Sequence, residues 1–181
     1  MAGSENHDTP EIPKFDNGPR LLIVAAAFYR DIADSLCAGA QAVIESAGGT
    51  FEIAEVPGAL EIPAAIRLGH GSGKFDGFVA LGCVIRGETT HYETVCTNSS
   101  RAISLMGLDA VCIGNGILTV ETRRQAELRA DPAGQNRGGG AALAALHLIA
   151  LSERFAPGPK GIGFKPASEH IMVADSGIRQ A

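Results

Sequence analysis

The stretch RLLIVAAA, Arg20 to Ala27, is apolar at every position after its arginine and shows no alternation. A strand of that composition suits burial on both faces, which requires helices above and below its sheet. The next segment reads as one such helix. From Asp31 to Ala47 the residues Ile32, Leu36, Ala40, Val43, Ile44 and Ala47 recur at spacings of three and four, and Gly48-Gly49 supplies a stop. The alternation then continues. Thr50 to Val56 sets Phe51, Ile53 and Ala54 among acidic residues as a second strand, and a VPG corner leads into ALEIPAAIRLG, a short helix ending near Gly69. Phe75 to Ile85 is a third strand, with the firmest apolar signal in the chain. Tyr92, Val95, Cys96, Ser99, Ala102, Ile103 and Met106 give one face of a helix. Ala110 to Leu118 reads as a strand, Glu121 to Ala130 as a helix and Gly140 to Phe155 as a long, alanine-rich helix.

The order β-α-β-α-β-α-β-α-α implies right-handed crossovers and a parallel four-stranded sheet covered on both sides, a three-layer α/β sandwich of flavodoxin-like kind. Ligands of such sheets collect outside the carboxyl ends of the strands. With 181 residues, 45% of them apolar, one core is the economical assumption. The domain spans residues 20–155, between an N-terminal arm over 1–19 and a C-terminal tail over 156–181, both rich in Pro and Gly and lacking sustained periodicity.

A formal charge of −5 with scattered Lys and Arg gives no basic stripe for nucleic acid or an anionic membrane. Cys37, Cys83, Cys96 and Cys112 form no CxxC pair, so they read as free thiols in a reducing compartment, not as a metal site or a disulfide framework. No segment approaches the roughly 18 uninterrupted apolar residues of a membrane span. The polar start MAGSENHDTPEIPKFDNGPR is unlike a signal peptide. These features point to a cytoplasmic protein.

The chemistry-bearing residues cluster at strand ends. Thr90-His91-Tyr92-Glu93 matches a capping box, with Thr90 as N-cap and Glu93 reaching back to its N–H. His91 then lies in the first helical turn, where the positive end of the helix dipole disfavours imidazolium and keeps the ring able to accept and return a proton. A solvated surface histidine is the plainer reading of the same residue. Backbone N–H groups around Gly87, with the hydroxyls of Thr89 and Thr90, suit an anion beside His91; Arg86 would help and Glu88 would not unless it turns away. A loop that merely turns the chain fits equally well. Glu61, in the first turn after the VPG corner, suits either dipole stabilisation or a ligand contact. Phe28 ends the first strand and fits either the core or a flat face offered to a planar ring. Arg129 and Arg137 bracket ADPAGQN as solvated arginines or as forked donors to a phosphate on a neighbouring subunit.

Four segments, VPGALEIP at Val56 to Pro63, FDGFVALGCVIRGETTHYE at Phe75 to Glu93, GNGILTVET at Gly114 to Thr122 and NRGGGAALAAL at Asn136 to Leu146, together resemble the lumazine synthase family of riboflavin biosynthesis. The likeness runs from about Arg20 to Phe155. It implies condensation of 5-amino-6-(ribitylamino)uracil with 3,4-dihydroxy-2-butanone 4-phosphate to 6,7-dimethyl-8-ribityllumazine, phosphate and water, with no metal or organic cofactor.

The resemblance also implies roles for residues. Phe28 would stack on the pyrimidine, Glu61 with the backbone near Ala59 and Leu60 would hold the ribityl chain, and Cys83, Val84 and Ile85 would bond the uracil edge. Gly87, Glu88 and Thr89 would line the phosphate subsite, His91 would shuttle protons, and Arg129 of an adjacent subunit would clamp the phosphate, with Arg137 nearby where the family often has lysine. Asn115 stands where some members place phenylalanine against the ligand, Leu60 where many carry an aromatic, and Tyr29 where asparagine is frequent. The implied assembly is a homopentamer, in some members packed into larger shells, with active sites between neighbours. A non-catalytic flavin- or lumazine-binding paralogue would keep the fold and Phe28 and could lose His91 and Arg129; both are present here.

Overall fold

The computed structural model describes residues 10–156. Its elements run β1 (Arg20–Ala26), α1 (Arg30–Ser46), β2 (Thr50–Val56), α2 (Ile62–Gly71), β3 (Gly77–Ile85), α3 (His91–Leu108), β4 (Ile113–Val120), α4 (Arg123–Ala130) and α5 (Arg137–Phe155). All strand pairs are parallel, in the order β2-β1-β3-β4. The sequence-derived element order and sandwich class therefore hold.

The sheet separates two cores. Leu21, Ile23, Val79 and Leu81 face α1, α4 and α5, whereas Leu22, Val24, Phe78 and Ala80 face α2 and α3. Side chains from adjacent strand positions thus enter opposite layers, which explains why β1 and β3 show no polar alternation. Each fully buried Leu, Ile or Phe in these layers contributes about 1.5–3 kcal/mol of transfer free energy. The chain leaves β1 toward β2 on one side and the rest of the sheet grows from β3 on the other, so the switch point lies between β1 and β3.

Three boundaries differ from the sequence expectation by three residues, each for a local reason. α2 starts at Ile62, not at Ala59, with a proline in its first turn where a missing N–H costs nothing. β4 starts at Ile113, not at Ala110, because Ala110 takes φ 61° in a turn whose N–H groups bond back to Met106 and Gly107. α5 starts at Arg137, three residues before Gly140. Its N-cap Asn136 is left-handed, at φ 44°, and accepts a hydrogen bond from Gly139 N. Gly138 is required by close approach, since a Cβ there would lie 2.0 Å from the carbonyl oxygen of Leu36. The alanines of α5 have an intramolecular use as well: Ala141, Ala142 and Ala145 are buried within this chain.

Of the proposed arm, residues 10–19 run without regular structure; Phe15 packs on the first core and Pro19 O accepts from Thr50 N at 2.9 Å. The remainder of the arm, and the tail expected beyond Ala156, lie outside the described residues. Among the described residues no helix is long and apolar enough to cross a membrane. The four cysteines are free, Cys37 and Cys112 buried and the other two half-buried.

Candidate active site

An open cleft of about 320 Å³ lies at the carboxyl ends of β1, β2 and β3, beside the switch point. Phe28, Ala59, Leu60, Glu61, Cys83, Val84, Ile85 and His91 line it, so one depression gathers residues from three separate loops that the sequence singled out. Tyr29, Gly58 and Val95 line it too and had no place among the sequence-derived candidates. Val95 had a readable signal, since it stands one helical turn after His91 on the same face. Phe28 is 73% exposed, which rules out the core and leaves its ring face available.

The floor of the cleft is main chain. β1 pairs with β3 only as far as Ala25 opposite Leu81, while β4 accompanies β3 to its end at Ile85. Phe78 N donates to Cys112 O, just before β4, and Arg86 N to Val120 O at its end, so the even-numbered peptide groups of β3 face β4. Peptide groups of successive strand residues point to opposite sides, and those of Cys83 and Ile85 therefore face the side that β1 has vacated. They form a short row of donors and acceptors that a planar heterocycle with alternating N–H and C=O groups can occupy.

Glu61 and His91 both sit at helix starts, and neither side chain makes a capping bond. Glu61 is the N-cap of α2, not a residue of its first turn, and makes no side-chain capping bond; its Oε2 curls to within 3.1 Å of where a Cβ on Gly58 would be. The capping box expected at Thr90 is absent. Thr90 has φ −67° and ψ 0°, outside the extended geometry of such caps, and its side chain caps nothing. Glu93 turns instead to Arg86, a charged partner stronger than a neutral backbone N–H. His91 N has only a 3.4 Å contact with Thr89 Oγ1.

Arginine–carboxylate clamps tie together the loops around the cleft. Arg30, at the start of α1, holds Glu55 of β2 with two bonds of 2.5 and 2.9 Å. Arg123, at the start of α4, pairs with Asp31 of α1 and with Glu127. Arg86 joins Glu93 of α3 to Glu121 of the β4–α4 loop. Arg86 is therefore occupied by two carboxylates and is not the free anion donor that the loop sequence suggested. The thiol of Cys83 is pushed up to about 11 by burial, which keeps it a neutral wall of the cleft, not a nucleophile.

Six predicted residues lie away from the cleft walls. Gly87, Glu88 and Thr89 form the exposed loop directly before His91, and a Cβ on Gly87 would meet nothing within 4 Å. Arg129 is half-buried in α4 and donates to Gln125 O at 3.1 Å, while Arg137 is exposed at the start of α5. Asn115 pairs with Ala80 on the edge strand β4, and its Oδ1 accepts from Ile117 N. It borders a second, apolar depression with Ile103, Val111, Leu148, Leu151 and Phe155, toward the amino end of β4.

Residues 18–153 match the sequence profile of the 6,7-dimethyl-8-ribityllumazine synthase family. A protein of that name from Jannaschia sp. (strain CCS1) is 51% identical over 176 residues, covering 97% of each chain. Those of Erythrobacter litoralis and Novosphingobium aromaticivorans are 52% and 54% identical over 136 residues, each covering 75% of this chain and 97% and 98% of their own. With the parallel sheet, the cleft at its switch point and the match over most of its length, the chain belongs to the 6,7-dimethyl-8-ribityllumazine synthase family.

Proposed function

We propose that the chain is a transferase that condenses 5-amino-6-(ribitylamino)uracil with 3,4-dihydroxy-2-butanone 4-phosphate in the penultimate step of riboflavin biosynthesis. The observation that carries the site reading is the meeting of Phe28, Glu61, His91 and the unpaired edge of β3 in one cleft. In this reading Phe28 stacks on the pyrimidine, the peptide groups of Cys83 and Ile85 bond its polar edge with Val84 between them, and Glu61 with Ala59 and Leu60 holds the ribityl chain. Gly87, Glu88 and Thr89 bound the phosphate subsite beside His91.

The reaction needs no redox partner. The substrate amine adds to the ketone and expels water, phosphate leaves by elimination, and the second amine closes the ring with loss of further water. Every step moves protons, and His91, a cleft residue that opens α3, carries an imidazole that can take and return them. Holding the two reactants in near-attack geometry contributes most of the acceleration, with proton transfer adding about 10²- to 10⁴-fold.

Arg129, Arg137 and Asn115 belong in this reading to the site of an adjacent copy, where the two arginines clamp the phosphate. The separation of these residues from their own chain's cleft supports an intersubunit site. The assembly is then a homopentamer or a larger shell in the cytoplasm. Mixing purified protein with both substrates and following lumazine fluorescence tests the activity; light scattering tests the assembly. Absence of product under conditions where a relative turns over would reject the assignment.

A further inference from the structure

We infer that Arg86 is a positioning residue for this reaction, fixing the phosphate loop and His91 through Glu93, Glu121 and Tyr92 without binding phosphate itself. The inference rests on the reading of the cleft given above. The backbone N–H of Arg86 donates to Val120 O at 2.9 Å, the last rung of the β3·β4 pairing. From that anchored point its side chain reaches two other elements. Nη1 pairs with Glu93 in the first turn of α3, Nε lies 2.7 Å from Glu121 in the β4–α4 loop, and the guanidinium stands over the Tyr92 ring at 4.1 Å. One side chain therefore joins the end of β3, the start of α3 and the loop before α4.

Little else fixes that region. The loop from Gly87 to Thr90 is exposed, Gly87 has open space around it, and α3 begins without a side-chain cap. His91 directly precedes Tyr92 and stands two residues before Glu93, so the groups that Arg86 grips are the ones that set the direction of the His91 backbone. The charge count argues against a direct role with phosphate. One guanidinium between two carboxylates leaves a net negative cluster, and an incoming phosphate would have to displace one carboxylate while facing the other at short range. Half-exposed pairs of this kind add little to global stability, so their effect should appear in turnover and not in the unfolding midpoint.

Geometry also dictates the choice of side chain. A planar fork engages two carboxylates and a ring at once, whereas an ammonium on a flexible stem does not. The experiment compares Arg86→Lys, Arg86→Met, Glu121→Gln and His91→Ala with the wild type in steady-state kinetics on both substrates, with inorganic phosphate as inhibitor. Arg86→Met and Arg86→Lys are expected to lower kcat by on the order of 10- to 100-fold, as a displacement of about 1 Å would. The KM for the ribitylaminouracil should stay within about twofold, since its subsite is built on other loops. Glu121→Gln should lower kcat in the same direction without tightening inhibition by phosphate.

Wild-type kcat in Arg86→Lys, or tighter phosphate inhibition in Glu121→Gln with kcat unchanged, would overturn the inference and make Arg86 an anion ligand. Should Arg86→Met fail to fold, the lysine and Glu121→Gln variants decide the matter by the same readouts. Undiminished turnover in His91→Ala would instead reject the reading of the cleft itself. A loss in His91→Ala beside unimpaired Arg86 variants rejects only the positioning role.

Discussion

The rings of Phe28 and Tyr29 meet edge to face, with centroids 4.9 Å apart and planes at 78°. Tyr29 caps α1 by position only, with no side-chain capping bond, and its half-buried ring packs against the first core. The ring of Phe28 thus gains a fixed aromatic neighbour while it stays largely exposed at the cleft. Phe28→Ala should raise the KM for the ribitylaminouracil by about 3- to 10-fold, the value of one aromatic stacking contact, with little loss of stability. Tyr29→Ala should show the reverse balance, a lowered unfolding midpoint and a smaller change in KM. Thermal unfolding together with steady-state kinetics on both variants checks the pair.

His91→Ala should reduce turnover by about 10²- to 10⁴-fold and leave a measurable residue, because orientation of the two reactants survives the loss of the imidazole. Complete loss of product formation in a folded, assembled variant contradicts that division.

The sheet was legible because β1 and β3 are apolar on both faces and each is followed by a helix-period segment, the first closed by Gly48-Gly49. The cleft was legible where glycine corners and charged residues interrupt strand ends, as at VPGALE and IRGETTH. Glu93 misled because local spacing favours a capping box, whereas the guanidinium that claims it stands seven residues away at the end of a strand. The start of α5 lies three residues before the expected Gly140, so the run of three glycines belongs to the helix. They follow Asn136, and two of them, Gly138 and Gly139, are buried, Gly138 against the α1 backbone. Asn115 carries no local cue at all, since its placement follows from the register of β4.

Arg129→Ala and His91→Ala proteins, each nearly inactive alone, should regain activity when denatured and refolded together. A site built between copies lets some mixed sites combine an intact His91 with an intact Arg129 from the neighbour. Activity of the co-refolded mixture no greater than that of the separate variants places both residues on one chain's own site.

Glycines in two settings should respond oppositely to a methyl group. Gly138→Ala forces a Cβ to 2.0 Å from Leu36 O, a clash with backbone that only a shift of α5 against α1 relieves, and a loss of about 1–3 kcal/mol or more is expected. Gly87→Ala meets nothing within 4 Å and should leave the unfolding midpoint unchanged while raising the KM of the phosphorylated ketone, whose proposed subsite it would narrow. Denaturant unfolding separates the two cases.

The clamps, exposed as they are, add only a small pH-dependent contribution to stability. Hydrogen bonding to Arg123 holds the Asp31 carboxyl below its ordinary 3.8, and Arg86 and Arg30 hold Glu93 and Glu55 below their ordinary 4.5. A carboxyl depressed in the folded chain contributes stability that is fully present above its unfolded value and is lost as pH falls through the folded one. The difference in unfolding midpoint between the wild type and Arg123→Gln should therefore be constant from about pH 7 to pH 5 and shrink steadily below about pH 4. High salt should reduce it at neutral pH, since these pairs are exposed to solvent. A midpoint difference that persists undiminished into acid means that Arg123 stabilises the chain by packing, not by charge.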